Sequence, residues 1–579
     1  MKAAENDIFR RGVVVVAVLA AALLGADSLR AQTSEFAARL PSRTIAYVEW
    51  RGAGAISGAA RQNHVLELMA DPAMAPLWLG IAANIQQQSN RPPTLSLPDV
   101  LSLVQNPAAA GIIELPRAEL NADSASEPPI GMFLVYDSTA KTDIIQKWEA
   151  ATEMRGPNPP IITHFEFGGT SVEERSYAKS ATFLAMAGHC FIVSDRKPVV
   201  EELITRFGGS IGPSDSLAQQ PEYASVQRFL DSDAALDYFG QVPNLKEWIS
   251  VGTKAKNQAT ALKFIDSIHL EKVHALGGSV SFAGQAMHIR GAILGNTAPA
   301  GLFDFAGASD TSFQTVAIAN GAPAFSVSRF DFVAFYRLIM GAAAAATPQQ
   351  QAGGLQTAQS AVQAFLGMSV PDTLNLFTGE LATASSFSDD GTQQRVFAAT
   401  IQKPDAVLHV LRAVLGPMTL AEESWGSATM LDIAYPYRDP ASGLQRRKLY
   451  YVAVTPQMLL VAPRKAMLRD TLQSVSDSRT APPAANGVFA DPEYTKMRAL
   501  LPKKLSGLGA DDVSLMPWEA IWMNFEQQIE QSPKQSAHPS PDLSWMKLVN
   551  PGVIPRHLHI ALSGWWKDAN GVYFDSYLQ

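Results

Sequence analysis

Two strings in this 579-residue chain could place a serine for nucleophilic attack. Gly208-Gly209-Ser210-Ile211-Gly212 fits G-x-S-x-G, in which a tight strand-to-helix turn exposes the serine beneath oxyanion donors. Here the string follows an expected helix and runs into a loop, Gly212-Pro213-Ser214-Asp215. Ser176-Tyr177-Ala178-Lys179 fits S-x-x-K, where a lysine could activate a serine. No K-T-G triplet accompanies it, and the alternation around it reads as a surface strand rather than a helix start. Gly52, Gly54 and Gly58 suggest a phosphate loop, but their spacing is not G-x-G-x-x-G and no acid closes a βαβ unit. Each string lacks its setting.

Metal chemistry fares no better. His557 and His559 sit two apart and, on one strand face, could offer two ligands, but a third is not evident. His269-Leu270-Glu271-Lys272-Val273-His274 is not H-E-x-x-H. Asp231, Asp233 and Asp237 resemble part of a calcium loop without its glycine and terminal glutamate, and read as a solvated helix end. Cys190 is the only cysteine, so no intramolecular disulfide or thiolate zinc site can form. Its setting, Cys-Phe-Ile-Val, reads as a buried strand. Of Trp565 and Trp566, alternation turns one inward with Leu562 and leaves Trp565 opposite, open to a partner, glycan or membrane. No catalytic, cofactor-binding or metal-ligating residue is assigned, and no cofactor is expected.

The elements that would carry such residues follow from composition and pattern. Charged residues are 17% and hydrophobic ones 47%, a balance that allows large cores and excludes a disordered chain. With 46 basic and 54 acidic residues the net charge is −8, which argues against a dedicated nucleic-acid binder. Lys2, Arg10 and Arg11 precede an apolar run from Val13 to Leu24 and a small-residue stretch ending Leu29-Arg30-Ala31. That layout predicts a signal peptide over residues 1–31, with an uncleaved anchor as the alternative. The run is short of the roughly 20 residues that span a bilayer. The location expected is the periplasm or the extracellular space.

Internal matches then suggest a tandem duplication. Ser96-Leu97-Pro98-Asp99 has a partner in Ser369-Val370-Pro371-Asp372, an offset of 371 − 98 = 273. Pro221-Glu222-Tyr223 recurs as Pro492-Glu493-Tyr494, an offset of 271. Phe191 to Lys197 parallels Leu459 to Lys465. The reading is α+β: two related units, each a largely antiparallel sheet with packed helices, over residues 36–294 and 318–579, joined by a segment 295–317. Ser96 and Ser369 are expected to cap helices, with Leu374 and Phe377 sharing a buried face. Asn570-Gly571 marks the turn of a closing hairpin.

The opening Leu40-Pro41, Thr44 and Ala46-Tyr47-Val48-Glu49 resembles that of a bacterial family of exported proteins of unknown function. The Ser194-Asp195 strand exit and the Pro-Glu-Tyr helix are similar to that family's recurring pattern. The resemblance implies a bacterial, exported protein and brings no catalytic residues with it. The expected function is a noncatalytic exported protein with a scaffold, binding or envelope-associated role. The alternatives are a periplasmic carrier of an apolar ligand and a cryptic serine hydrolase using Ser210 or Ser176. Partners are unknown beyond an apolar ligand or an envelope component.

Overall fold

The computed structural model describes residues 36–53, 62–80, 105–116, 130–139, 160–177, 180–209, 215–242, 255–282, 284–295, 303–346, 352–438, 443–477, 487–531 and 544–579. The signal segment, Ser96 to Asp99 and Ser210 lie outside the described residues.

Among the described residues, twenty strands form the framework. They are β1 (Thr44–Trp50), β2 (Ala108–Glu114), β3 (Ile130–Asp137), β4 (Ile161–Phe167), β5 (Thr170–Ser176), β6 (Ala181–Ala187), β7 (Cys190–Ser194), β8 (Leu236–Gln241), β9 (Val273–Ser281) and β10 (Met287–Gly295). They continue with β11 (Ala324–Arg329), β12 (Phe377–Phe387), β13 (Gln393–Ile401), β14 (Thr419–Trp425), β15 (Ala428–Arg438) and β16 (Gln445–Val454). The last are β17 (Met458–Ala462), β18 (Gly507–Asp512), β19 (Ile560–Lys567) and β20 (Gly571–Leu578). All pair antiparallel in one sheet, ordered 4-5-6-7-3-2-1-8-9-10-20-19-18-11-12-13-17-16-15-14.

This corrects the expected fold class. Two units with separate sheets, related by duplication, are not what the chain builds; it builds one continuous sheet. The pairing of β10 with β20, from Met287 opposite Leu578 to Leu294 opposite Gly571, joins the two expected sheets into one, and a tandem duplication is not shown. An exposed strand edge is a row of unpaired donors and acceptors. The hairpins β9–β10 and β19–β20 bury that liability against each other, a relation between distant edges that short sequence matches cannot reveal.

One face of the sheet carries the core. Residues 45, 47 and 49 of β1 alternate inward, with Ile45 and Tyr47 buried, as period-two side chains must. Helices α1 (Lys197–Gly208), α2 (Pro221–Gln227), α3 (Lys465–Asp477) and α4 (Pro492–Arg498) cover that face. Leu203, Val226, Leu468 and Met497 fill the two clusters beneath them. Proline opens three of these helices within the first turn, where its missing N–H is not needed. Gly277 and Gly564 let helical side chains come close. A Cβ at Gly277 would lie 2.3 Å from Val226, and one at Gly564 would lie 2.9 Å from Leu501.

Ser369 does cap its helix: its hydroxyl accepts from the Asp372 N–H at 3.2 Å. The Asp372 carboxylate takes the Ser369 hydroxyl at 2.5 Å instead of reaching the cap backbone. That helix, Val370–Leu374, is only one turn long. Phe377 therefore begins β12 and shares no helical face with Leu374, contrary to the expectation.

Candidate functional site

The β10–β20 seam gathers a set of ionisable groups beside a cavity. His288 and Arg290 leave β10 on the core side because they alternate with Ile289, and Asp575 and Tyr577 leave β20 on the same side. Asp231 arrives from the turn after the Pro221–Gln227 helix. His288 donates from Nδ1 to Asp231 at 2.7 Å and lies 3.3 Å through Nε2 from Asp575. Arg290 spans the same two carboxylates, at 2.8 Å from Asp575 and 3.4 Å from Asp231. Ser281 donates to Asp231 at 2.9 Å. The imidazole stacks on Tyr577 at 4.2 Å, and the guanidinium sits 4.7 Å above Phe229. Asp231, Asp233, Gln285, His288, Tyr577 and Gln579 line a cavity of about 310 Å³ beside them.

Electrostatics fixes what this cluster can do. Burial alone would lower the His288 pKa, but hydrogen bonds to Asp231 and Asp575, with their charges, raise it above the usual histidine value. Burial is the largest single influence on Asp231 and works to raise it, but the bond to His288, the histidine charge, the Ser281 bond and the Arg290 charge together lower it. An imidazole whose two nitrogens both face carboxylates is held as imidazolium. It has no lone pair to take a proton from Ser281, which is bonded to Asp231 instead. The arrangement is a charge clamp, not a nucleophilic triad. Nearby, Asp237 pairs with Arg51, yet burial pushes its carboxyl up to about 6.

The residues singled out by sequence are dispersed. Asp231 and Asp237 are ion-pair partners, half-buried and buried respectively, rather than a solvated helix end, and Asp231 lines the cavity together with the exposed Asp233. His557 ends a short helix, Ile554–His557, instead of lying on a strand. It bonds Asp71 at 3.0 Å, while the His559 ring meets His64 at 6.0 Å. Among the described residues no group of three His, Cys, Asp or Glu side chains is disposed to hold a metal ion. His269 takes a left-handed backbone, φ 52°, and bonds Glu271. Ser176 closes β5 and donates to Glu174; Lys179 lies outside the described residues. Gly208 and Gly209 end and follow a helix. Gly52 has φ +82° and packs its backbone on Gln105. Cys190 is 2% exposed and burial pushes its thiol up to about 12.

The other face of the sheet is chemically unlike a solvated surface. Directly opposed residues run across it as Leu184, Val193, Leu134, Ala110, Val48, Tyr238, Gly278, Gly291, Phe574, Trp565, Gly507, Ser328, Leu381, Ala399, Leu459, Val454, Thr429 and Ser424. None is charged. The row beside it, from Trp50 through Leu236, Val280, Ile289 and Ser576 to Phe397, is uncharged as well. Antiparallel sheets with one open face ordinarily alternate to polar residues there.

The helix Pro404–Leu415 covers one end of that face, over Leu431, Val452 and Val454. The middle is open: Val48, Tyr238, Phe574 and Leu381 are 37–39% exposed. Two aromatic rings lie flat over glycines. A Cβ at Gly278 would fall 2.3 Å from the Tyr238 hydroxyl, and one at Gly507 would fall 1.8 Å from the Trp565 indole nitrogen. Trp566 turns to the core side and stacks on Tyr573, as the alternation requires. Sequence reading missed His288, Arg290, Asp575 and Tyr577, whose signal is polar alternation in Met287 to Arg290 and Asp575 to Tyr577.

No protein-family model matches the chain, and comparison with curated proteins and with solved structures likewise finds no match.

Proposed function

We propose that this is a noncatalytic binding protein of the cell envelope, exported by residues 1–31, whose working surface is the pair of uncharged rows on the open sheet face. Its ligand is an extended apolar molecule such as an acyl chain. The observation that carries this reading is the charge-free row of opposed residues, open at its centre. From β1 to β12 that open stretch crosses nine strands, about 40 Å at the usual spacing of about 4.8 Å. An acyl chain fills one leaflet, half of a hydrocarbon core about 30 Å thick, so the stretch is long enough to hold one. Each methylene taken from water would contribute about 0.8 kcal/mol. Glycines and flat aromatic rings supply the smooth floor such a chain needs. The charge clamp supports the noncatalytic side of the reading, because its histidine is committed to two carboxylates.

Native mass spectrometry of protein purified without detergent is the test. Co-purifying lipid that is lost from a Val48→Asp/Phe574→Lys variant is the expected result. Lipid-free wild-type protein that also fails to take up added fatty acid would end the proposal.

A further inference from the structure

Strands β15 and β16 outrun their neighbours. β14 pairs with β15 only as far as Ile433, and β17 pairs with β16 only as far as Tyr451. Beyond them the two strands continue alone, with Tyr435 opposite Lys448, Pro436 opposite Arg447, Tyr437 opposite Arg446 and Arg438 opposite Gln445. Every one of these residues is exposed. A lone two-stranded ribbon is marginally stable in water, so a sequence that maintains one is using it.

Its side chains are of two kinds. Residues 435–449 hold four basic residues, Arg438, Arg446, Arg447 and Lys448, and one acid, Asp439, a balance of 4 − 1 = +3 in a chain of net −8. Between them stand exposed apolar groups: Tyr435 is 51% exposed, Leu444 63% and Leu449 45%. Lys448 lies 5.4 Å above the Tyr450 ring, and Arg438 donates to the Gly443 carbonyl at 2.9 Å. Tyrosine beside arginine and lysine suits the headgroup level of a membrane, where rings enter and cations meet phosphate.

We propose that the β15–β16 arm docks this protein onto an anionic lipid surface. A soluble polyanion would need the cations but not the tyrosines and leucines, and the arm has both. The proposal stands on the arm and is independent of what the sheet face binds. Full-length protein is sedimented with phosphatidylcholine vesicles and with mixed phosphatidylcholine–phosphatidylglycerol vesicles. The expected result is salt-sensitive binding to the mixed vesicles only. Arg446→Glu/Arg447→Glu/Lys448→Glu should weaken it by at least about tenfold, on the usual worth of basic residues at such surfaces. Tyr435→Ser/Tyr437→Ser should weaken it less and leave the salt dependence in place. Both variants alter only the arm, so unchanged thermal melting and unchanged fatty-acid uptake report an intact fold and sheet face. Equal binding to both vesicle types, or indifference to charge reversal, would overturn the proposal.

Discussion

At Asp237 and His288 the balance of burial against pairing sets how stability depends on pH. Both groups bind protons more tightly in the folded chain than in the unfolded one. Asp237, raised to about 6, loses that contribution as pH climbs from about 4 to about 6. His288, raised above the ordinary histidine value, contributes fully below about pH 6.5 and loses its share as pH rises through the folded value. Asp231 is lowered and acts oppositely, losing its contribution only as strong acid protonates it. Thermal melting should therefore shift upward as pH falls from about 8 to about 5. His288→Asn should remove the upper part of that slope and Asp237→Asn the lower part. A Tm that instead rises with pH over this range would contradict the assignment. Asp575 is 1% exposed, and Asp575→Asn leaves Arg290 and His288 short of a buried counter-charge, at a cost of about 3 kcal/mol in chemical denaturation. None of these four was legible as a cluster. Asp231 and Asp237 stood out only by spacing to each other, while their partners are 57 and 186 residues away in sequence from them.

Helices, strands and turns were the most legible scale. Proline-opened helices, the buried Cys190 strand and the opposed faces of Trp565 and Trp566 all follow from local pattern. Local pattern also misled: the Ser369 cap was correct, yet the helix it opens stops after one turn, because Leu376 and Phe377 are drawn into packing and pairing at the start of β12. Ser369→Ala should cost about 1 kcal/mol, read by denaturant unfolding. A larger effect is expected where strands carry flat rings. Gly507→Ala would push a methyl into the Trp565 indole; the ring must lift off β18, and its fluorescence should shift to the red with a fall in Tm. Unchanged emission would mean that the ring does not rest on that glycine.

Across the whole molecule, the one sheet makes the residues of both ends of the chain share a surface. The alternation that gives each strand a core face was readable, but the order of strands was not, since edges separated by hundreds of residues choose each other by geometry. Opposed rows exist only after that order is set, which is why the two charge-free rows could not be read from the chain. The most direct measurement is titration of a fluorescent fatty acid into wild-type protein and into Phe574→Lys. Phe574 is 39% exposed at the middle of the row, so the substitution places a charge in the path without opening the core. Saturable binding by the wild type, weakened about tenfold or more in the variant through lost apolar contact and ammonium desolvation, is the expected result. Equal binding by both proteins, or none by either, would contradict the account.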